Sequence, residues 1–306
     1  MKYIIICGPT CTGKTSLGVQ LALRYQGEIL NADSRQIYKH TTIGTAKPTI
    51  EEMQEVPHHL FDLLELDEDF SAYQYAALAL EAMRDIDSRG KLPIIVGGTG
   101  LYLKALTEGI FKSPKPDNVY RDELNRIAEA EGSQKLHAML AEVDSVAAAR
   151  IKPRDTVRLI RALEIHKQTG QPIGQLQKAG EYITPPGDPL WIGLTFVRKE
   201  LYQRINKRVD NMIDRGLEQE TISLEPFIAF VRKRKMIGYS DLIEYLFDKK
   251  ITRDEAIARV KQHHRNYAKR QLTWFNRNKK INWFNPGDSD YPESVFRITD
   301  KYRENA

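Results

Sequence analysis

The front of the chain alternates between short, almost unbroken apolar runs and longer stretches whose apolar residues recur every three to four positions. Residues 4–7 (Ile-Ile-Ile-Cys) predict a first strand, 15–25 a helix, and 28–32 a second strand ending at Asp33. Residues 72–89 predict a helix opened by Ser71 as its N-cap. A third strand over 92–96 is stopped by Gly97-Gly98-Thr99-Gly100, and 101–106 reads as helical again. Strands that are apolar at nearly every position are covered on both faces, the signature of a parallel sheet wrapped by crossover helices. In such sheets ligands gather at the carboxyl ends of the strands, so the segment after residue 7, Asp33 and the turn 97–100 are expected to meet in one crevice.

Two proline-rich stretches change the pattern in the middle, Ser113-Pro114-Lys115-Pro116-Asp117 and Thr184-Pro185-Pro186-Gly187-Asp188-Pro189. Between them the periodicity is helical throughout, at 121–130, 134–142 and 156–168. The expectation is an α/β core into which an all-helical domain is inserted: residues 1–112 as the first part of the core, 113–189 as the insert, and 190–306 completing the core. A strand over 190–196 returns to the sheet, followed by helices over 199–215 and about 254–278.

Composition adds bounds. A hydrophobic content of 41% and a charged content of 28% in 306 residues describe an ordinary globular protein. No apolar stretch nears the roughly 18 residues that would cross a membrane, and the first strand begins too soon for a signal peptide. A cytoplasmic protein without membrane attachment is expected. Cys7 and Cys11 are too few and too close for a disulfide framework or a structural zinc site. The adjacent pairs His58-His59 and His263-His264 point in different directions on any regular element, which argues against a shared metal. The net charge of +5 is unevenly spread: residues 196–280 hold 21 Lys and Arg against 11 Asp and Glu. That surplus suits a polyanion docked along the last third.

The chemistry concentrates at Gly8-Pro9-Thr10-Cys11-Thr12-Gly13-Lys14-Thr15, a Gly-x-x-x-x-Gly-Lys-Thr run lying between a strand and a helix. Its glycines let backbone N–H groups turn inward around a phosphate or diphosphate. The following helix adds its positive end, Lys14 a mobile charge, and the Thr15 hydroxyl a ligand for Mg2+. Such loops bind nucleotides such as ATP, yet a nucleotide hydrolase usually carries a strand-end Asp for the metal, and the strand 92–96 ends in glycine instead. The carboxylate that enters the crevice is Asp33, followed by Ser34, Arg35 and Gln36; it could hold a metal, orient a nucleophile, accept a proton, or simply cap a helix. Arg154, Arg158 and Arg161 fall at i, i+4, i+7 and predict one basic helical face, and Arg204 and Arg208 are similarly spaced. Residues 265–275 interleave cations with Tyr267, Trp274 and Phe275, a composition that fits RNA, although these rings would serve equally as core anchors. The residues alone leave open a group transferase, an ATP-dependent small-molecule or nucleoside kinase, and an RNA-binding nucleotide switch.

The ordered set GPTCTGKT from Gly8, NADSRQIY from Asn31, IGTAKP from Ile43, PHHLFD from Pro57, IIVGGTGLY from Ile94, VRLIRALEI from Val157, YQRINKRVDNMI from Tyr202 and AKRQLTWF from Ala268 resembles the tRNA dimethylallyltransferases, or IPP transferases, over nearly the whole chain. The resemblance implies a P-loop NTPase-like core with a helical insert, and a prenyltransferase of tRNA processing. Its reaction would move a dimethylallyl group from dimethylallyl diphosphate to N6 of the adenosine 3′ of the anticodon, in tRNAs reading codons that begin with U. Asp33, Thr10, Lys14 and Arg208 would be catalytic, with residues 8–15 on the diphosphate and Mg2+ at Thr15. Contacts to the tRNA anticodon stem-loop would come from Asp33, Ser34, Arg35, Gln36, Thr99, Arg121, Val157, Arg158, Leu159, Ile160 and Arg161. The protein is expected to act as a monomer. Cys11 and Thr12 stand where the family usually has Ala, Gly or Ser.

Overall fold

The computed structural model describes residues 1–304 except 180, 181 and 183. Strands β1 (Ile4–Cys7), β2 (Gly27–Asn31), β3 (His58–His59), β4 (Leu92–Val96), β5 (Leu190–Leu194) and β6 (Asn282–Phe284) form one sheet in the order β3-β2-β4-β1-β5-β6. All of its pairings are parallel. The helices of the front segment are α1 (Lys14–Tyr25), α2 (Ile50–Met53), α3 (Ala72–Ser88) and α4 (Gly100–Glu108). Then come α5 (Asn118–Glu131), α6 (Ser133–Val143), α7 (Ser145–Arg150), α8 (Thr156–Thr169) and α9 (Ile173–Ala179). The last third contributes α10 (Arg198–Asp214), α11 (Leu217–Ser223), α12 (Ile228–Lys233), α13 (Tyr239–Leu246), α14 (Arg253–Phe275) and α15 (Glu293–Glu304).

The α/β reading holds: β1 and β4 are buried at every residue, and α1 lays Leu17, Val19, Leu21 and Ala22 against them. Ser71 caps α3 in a reciprocal pair with Gln74, which fixes where that helix starts. Two strands escaped the sequence pattern. β3 (two histidines) and β6 (Asn-Trp-Phe) are two and three residues long, too short to show a period; they exist because β2 and β5 offer them open edges.

Two compact units divide the described chain: 1–107 with 184–304, and 108–183. Residues 184–189 fall with the sheet unit, and 108–112 with the helical one. The helical unit has its own apolar core, with Leu124, Leu136, Leu140, Leu159 and Leu163 at its centre. Its most deeply buried charge among the described residues is Glu164, which takes the guanidinium of Arg121 (2.9 Å), that of Arg161, and the backbone N–H of Asp117 (2.6 Å). A buried carboxylate needs such partners, since left alone it would neutralise or unfold the site. Among the described residues, no helix is long and apolar enough to cross a membrane.

Candidate active site

The sheet order places the ends of β2, β4 and β1 side by side, and their loops line one cavity of about 1110 Å³. That exceeds the volume of an ordinary single-ligand pocket and leaves room for two reactants. Asp33 lies beyond β2, and the Gly8–Thr15 loop beyond β1, with β4 between them. Two strand spacings separate these elements, about 9–10 Å.

The loop follows the geometry its glycines and neighbours dictate. Gly8 sits at φ 129, pressed so close to the Leu194 carbonyl that a Cβ would overlap it. Gly13 at φ 85 is the left-handed residue that launches α1. Cys11 takes a left-handed conformation too, at φ 66, unusual for a residue with a side chain. Lys14 curls back over the loop and donates from Nζ to the Pro9 carbonyl at 2.6 Å, while the Thr12 hydroxyl donates to the same oxygen at 3.0 Å. Burial, and then the neighbouring charge of Arg208, push the Lys14 ammonium down to about 8, with Asp33 opposing. Helix α10 supplies two guanidinium groups to the loop: Arg208 donates to the Thr10 hydroxyl (2.9 Å), and Arg204 to the Cys11 carbonyl (3.2 Å). The resemblance placed residues 8–15 on the diphosphate, with backbone N–H groups turned inward to the anion. The structure withdraws one of those groups, because the Thr10 N–H donates to Gln271 Oε1 at 2.9 Å.

Asp33 is neither in nor before a helix. Its Oδ1 accepts the Arg35 N–H at 2.8 Å in a local turn, and its backbone N–H is held by Asn31 Oδ1 at 3.0 Å. The carboxylate is thus oriented by its own backbone, and its second oxygen has no hydrogen-bond partner among the described residues. Thr99 fastens the segment from the other side: its hydroxyl accepts the Ser34 N–H (2.9 Å) and donates toward Ser34 Oγ. Arg35 donates to the Arg234 carbonyl (2.9 Å), and Gln36 holds the carbonyls of Thr45 and Ala46 (both 3.0 Å). The loop carrying Thr45 is fixed by a residue that sequence reasoning missed. Glu220 accepts the N–H groups of Thr42, Ile43 and Gly44 at 2.9, 2.8 and 3.0 Å, and the Tyr239 hydroxyl at 2.5 Å.

The remaining expected residues lie in the helical unit, and the structure corrects several. Leu159 and Ile160 belong to its apolar core, at 0% and 7% exposure, so they have no face to offer a polyanion. The predicted face of Arg154, Arg158 and Arg161 does not form. Asp155 caps α8, leaving Arg154 in the turn before it. Arg161 turns inward to Glu164, Ser113 Oγ (2.6 Å) and the Pro114 carbonyl (2.8 Å). Arg121 is committed to Glu164 as well. Val157 is 80% exposed, and Arg158 projects beside it with Asp155 at 3.1 Å. The histidine pairs are split as their adjacency implied: His58 faces the Val56 carbonyl and His59 faces Glu28, while His263 pairs with Asp241.

A parallel sheet with a phosphate loop at one strand end, an oriented carboxylate two strands away and basic helices over both defines a P-loop-cored transferase class rather than a nucleotide hydrolase. The family model described as "IPP transferase" matches residues 36–278. The chain is 45% identical over 300 residues to a tRNA dimethylallyltransferase 2 of Geotalea uraniireducens, covering 97% of this chain and 95% of that one. It is 44% identical over 303 residues to the tRNA dimethylallyltransferase of Carboxydothermus hydrogenoformans, covering 98% and 96%. Among solved structures, the tRNA isopentenylpyrophosphate transferase of Bacillus halodurans aligns over 99% of this chain and 97% of its own, with TM-score 0.70 and 40% identity. A eukaryotic dimethylallyltransferase acting on tRNA aligns over 99% and 80%, with TM-score 0.83 and 28% identity. The chain belongs to the IPP transferase family.

Proposed function

We propose that this protein transfers the dimethylallyl group of dimethylallyl diphosphate to N6 of the adenosine 3′ of the anticodon, in tRNAs that read codons beginning with U. The observation that carries the reading is the single cavity bounded by a phosphate loop at one strand end and by Asp33 two strands away, with no acidic side chain at the end of β4 between them. The family assignment favours it over the kinase alternative, and the curated relatives above are named for dimethylallyl transfer to tRNA.

In this reading the diphosphate occupies the loop, where the N–H groups of residues 11–15, the N-terminus of α1, Lys14 and Arg208 balance its charge. The five-carbon chain points across the end of β4. The flipped adenine presents its exocyclic amine to the free oxygen of Asp33, which accepts one N–H and thereby aims the nitrogen at the allylic carbon. The new N6–carbon bond forms as the carbon–oxygen bond to diphosphate breaks. The leaving oxygen takes that electron pair, and the amine proton passes to Asp33.

Thr15 offers a hydroxyl toward the loop, and the described residues contain no group of three or more His, Cys, Asp or Glu that would hold a metal by themselves. Thr15 would be the residue to hold a magnesium ion arriving with the diphosphate, and the ion would supply further charge neutralisation. The test is mass spectrometry of an unmodified anticodon stem-loop incubated with enzyme, magnesium and dimethylallyl diphosphate, with ATP replacing the donor in a parallel reaction. A dimethylallyl adduct on the adenosine 3′ of the anticodon, seen only with the allylic donor, is expected. ATP consumption without an adduct would establish the kinase instead.

A further inference from the structure

Helix α10 lines the cavity with a row of polar side chains. Arg204, Arg208, Asn211 and Arg215, its C-cap, fall at i, i+4, i+7 and i+11 and so stand along one face, with Lys207 lining the cavity beside them. Two of these cations are committed to the phosphate loop: Arg208 donates to the Thr10 hydroxyl at 2.9 Å, and Arg204 to the Cys11 carbonyl at 3.2 Å. Lys207 and Arg215 are not. Both are exposed, and neither side chain has a hydrogen-bond or ion-pair partner among the described residues. Arg215 stands about 10 Å further along the helix than Arg208. Little negative charge opposes the pair. Asp33 and Glu52 are the only carboxylates among the described residues that line the cavity, and Glu52 is turned to the Thr49 N–H at 3.0 Å. Of the acids on α10 itself, Glu200 leans on Arg204 (3.8 Å), Asp210 takes the Lys261 ammonium at 2.5 Å, and Asp214 faces away from the cavity lining.

Resting on the prenyl-transfer reading, we propose that Lys207 and Arg215 form a capture site for the allylic diphosphate, drawing the incoming anion to the cavity and passing it along the α10 row to Arg208 and the phosphate loop. Two unpaired, solvent-facing cations in the lining of a cavity poor in carboxylates act at a distance, over about 10 Å at 0.1 M salt and about 30 Å at 0.01 M. Clefts lined by one sign of charge raise encounter rates by about 10- to 10³-fold. The device needs no movement of the helix or the loop, since the charges stand in place before the donor arrives. It also leaves the chemical step alone. Lys14 and Arg208 balance the charge of the seated diphosphate, whereas Lys207 and Arg215 act on the one still in solution.

The experiment is initial-rate kinetics of the full chain with magnesium, saturating unmodified anticodon stem-loop and varied dimethylallyl diphosphate, at ionic strengths of about 20 mM and about 200 mM. The double variant Lys207→Gln, Arg215→Gln should lose about fivefold in kcat/KM for the donor at the lower ionic strength and less than about twofold at the higher. Its kcat at saturating donor should stay within about twofold of native at both. The unreactive thiolodiphosphate analogue of dimethylallyl diphosphate, used as a competitive inhibitor, should weaken by the same salt-dependent factor, because its capture involves no chemistry. Lys207→Arg, Arg215→Lys keeps both charges and should keep the native values. A Gln double variant with native kcat/KM for the donor overturns the inference; if its KM for the stem-loop rises instead, the row belongs to the RNA. An equal loss at both ionic strengths overturns it as well, making the pair direct ligands of the seated donor. Each of these outcomes leaves the prenyl-transfer reading standing, since the native protein still forms the adduct. A native protein that forms no adduct from the allylic donor sinks the reading beneath it.

Discussion

The Lys14 ammonium gives the most quantitative consequence of the site. In a free chain a lysine titrates near 10.4, well above any working pH. Here burial first, and the Arg208 guanidinium second, bring it down to about 8, because both disfavour a further positive charge in the loop. The ammonium is the form that attracts a diphosphate, so donor capture should follow its protonated fraction. Below pH 8 the group is mostly charged, and as pH rises through 8 the charge is lost. The protonated fraction falls from about nine-tenths at pH 7 to about one-tenth at pH 9, so kcat/KM for the donor should drop about tenfold over that interval.

The assay is initial-rate kinetics with dimethylallyl diphosphate varied at fixed RNA from pH 6.5 to 9.5, since kcat/KM reports groups of the enzyme before the varied substrate binds. Saturating donor should restore the proton, so kcat should fall less steeply than kcat/KM. Lys14→Arg supplies the control. A guanidinium stays charged throughout this range, so the variant, though slower for want of the lysine's shape, should lose the descending limb near pH 8. A native profile flat to pH 9, or an arginine variant with the same limb, would refute the assignment of that limb to Lys14.

Other outcomes follow from the same geometry. Asp33→Asn keeps the turn-forming oxygen but cannot accept a proton; turnover should fall about 10²- to 10⁴-fold while stem-loop affinity, read by filter binding, stays within a few-fold of native. Glu164→Ala leaves two half-buried guanidinium groups and the Asp117 N–H without their shared acceptor; the loss should be about 2 kcal/mol or more, seen as a lowered midpoint in urea. Gly98→Ala drives a methyl group into the Gln271 amide, so donor KM should rise several-fold with thermal stability less affected than in Glu164→Ala. Chelation with EDTA should abolish adduct formation yet leave stem-loop binding intact, and added magnesium should restore it.

The parts legible in the sequence are those whose cause is local. The first and third core strands announce themselves because every residue is apolar, the second by its Ile29-Leu30 centre, and α1 and α3 because a glycine and a serine mark their starts. What could not be read depends on a partner far away in the chain. Arg161 looks like part of a basic face until Ser113 and Pro114, 48 and 47 residues back, hold it inward. Leu159 and Ile160 sit inside a functional-looking motif, but their apolar side chains are there for the helical core. Glu220 gave no motif at all, since the three backbone N–H groups it accepts lie 176 to 178 residues back along the chain. Gln271 left a trace. On α14 the buried positions His264, Ala268, Gln271 and Phe275 form one stripe, and a glutamine in such a stripe must find polar partners on whatever faces it. The pattern can say that a partner exists, but only the fold can say that it is Thr10 and Gly98.

The glycine turn after β4 decides why this loop serves group transfer. A nucleotide hydrolase places a metal-holding carboxylate at such a strand end. Here Gly97 lies so tightly against the Ala32 backbone that any Cβ would overlap it, and a Cβ on Gly98 would have to displace the Gln271 amide. A side chain at Gly97 could enter the gap between the phosphate loop and Asp33 only by moving backbone, and one at Gly98 only by displacing Gln271. The gap is therefore left to the reactants, about two strand spacings wide, which is the span a diphosphate-bound five-carbon chain and an incoming amine must share. Filling it should be worse for chemistry than for binding. With Gly97→Ser, the strand end must shift to admit the hydroxymethyl group, moving Asp33 relative to the loop. A misplacement of about 1 Å can cost on the order of 10²-fold in rate, so kcat should fall by about that factor while the affinity for the thiolodiphosphate analogue changes little. Equal losses in the two measurements would mean that the turn shapes the phosphate site itself rather than the distance across it.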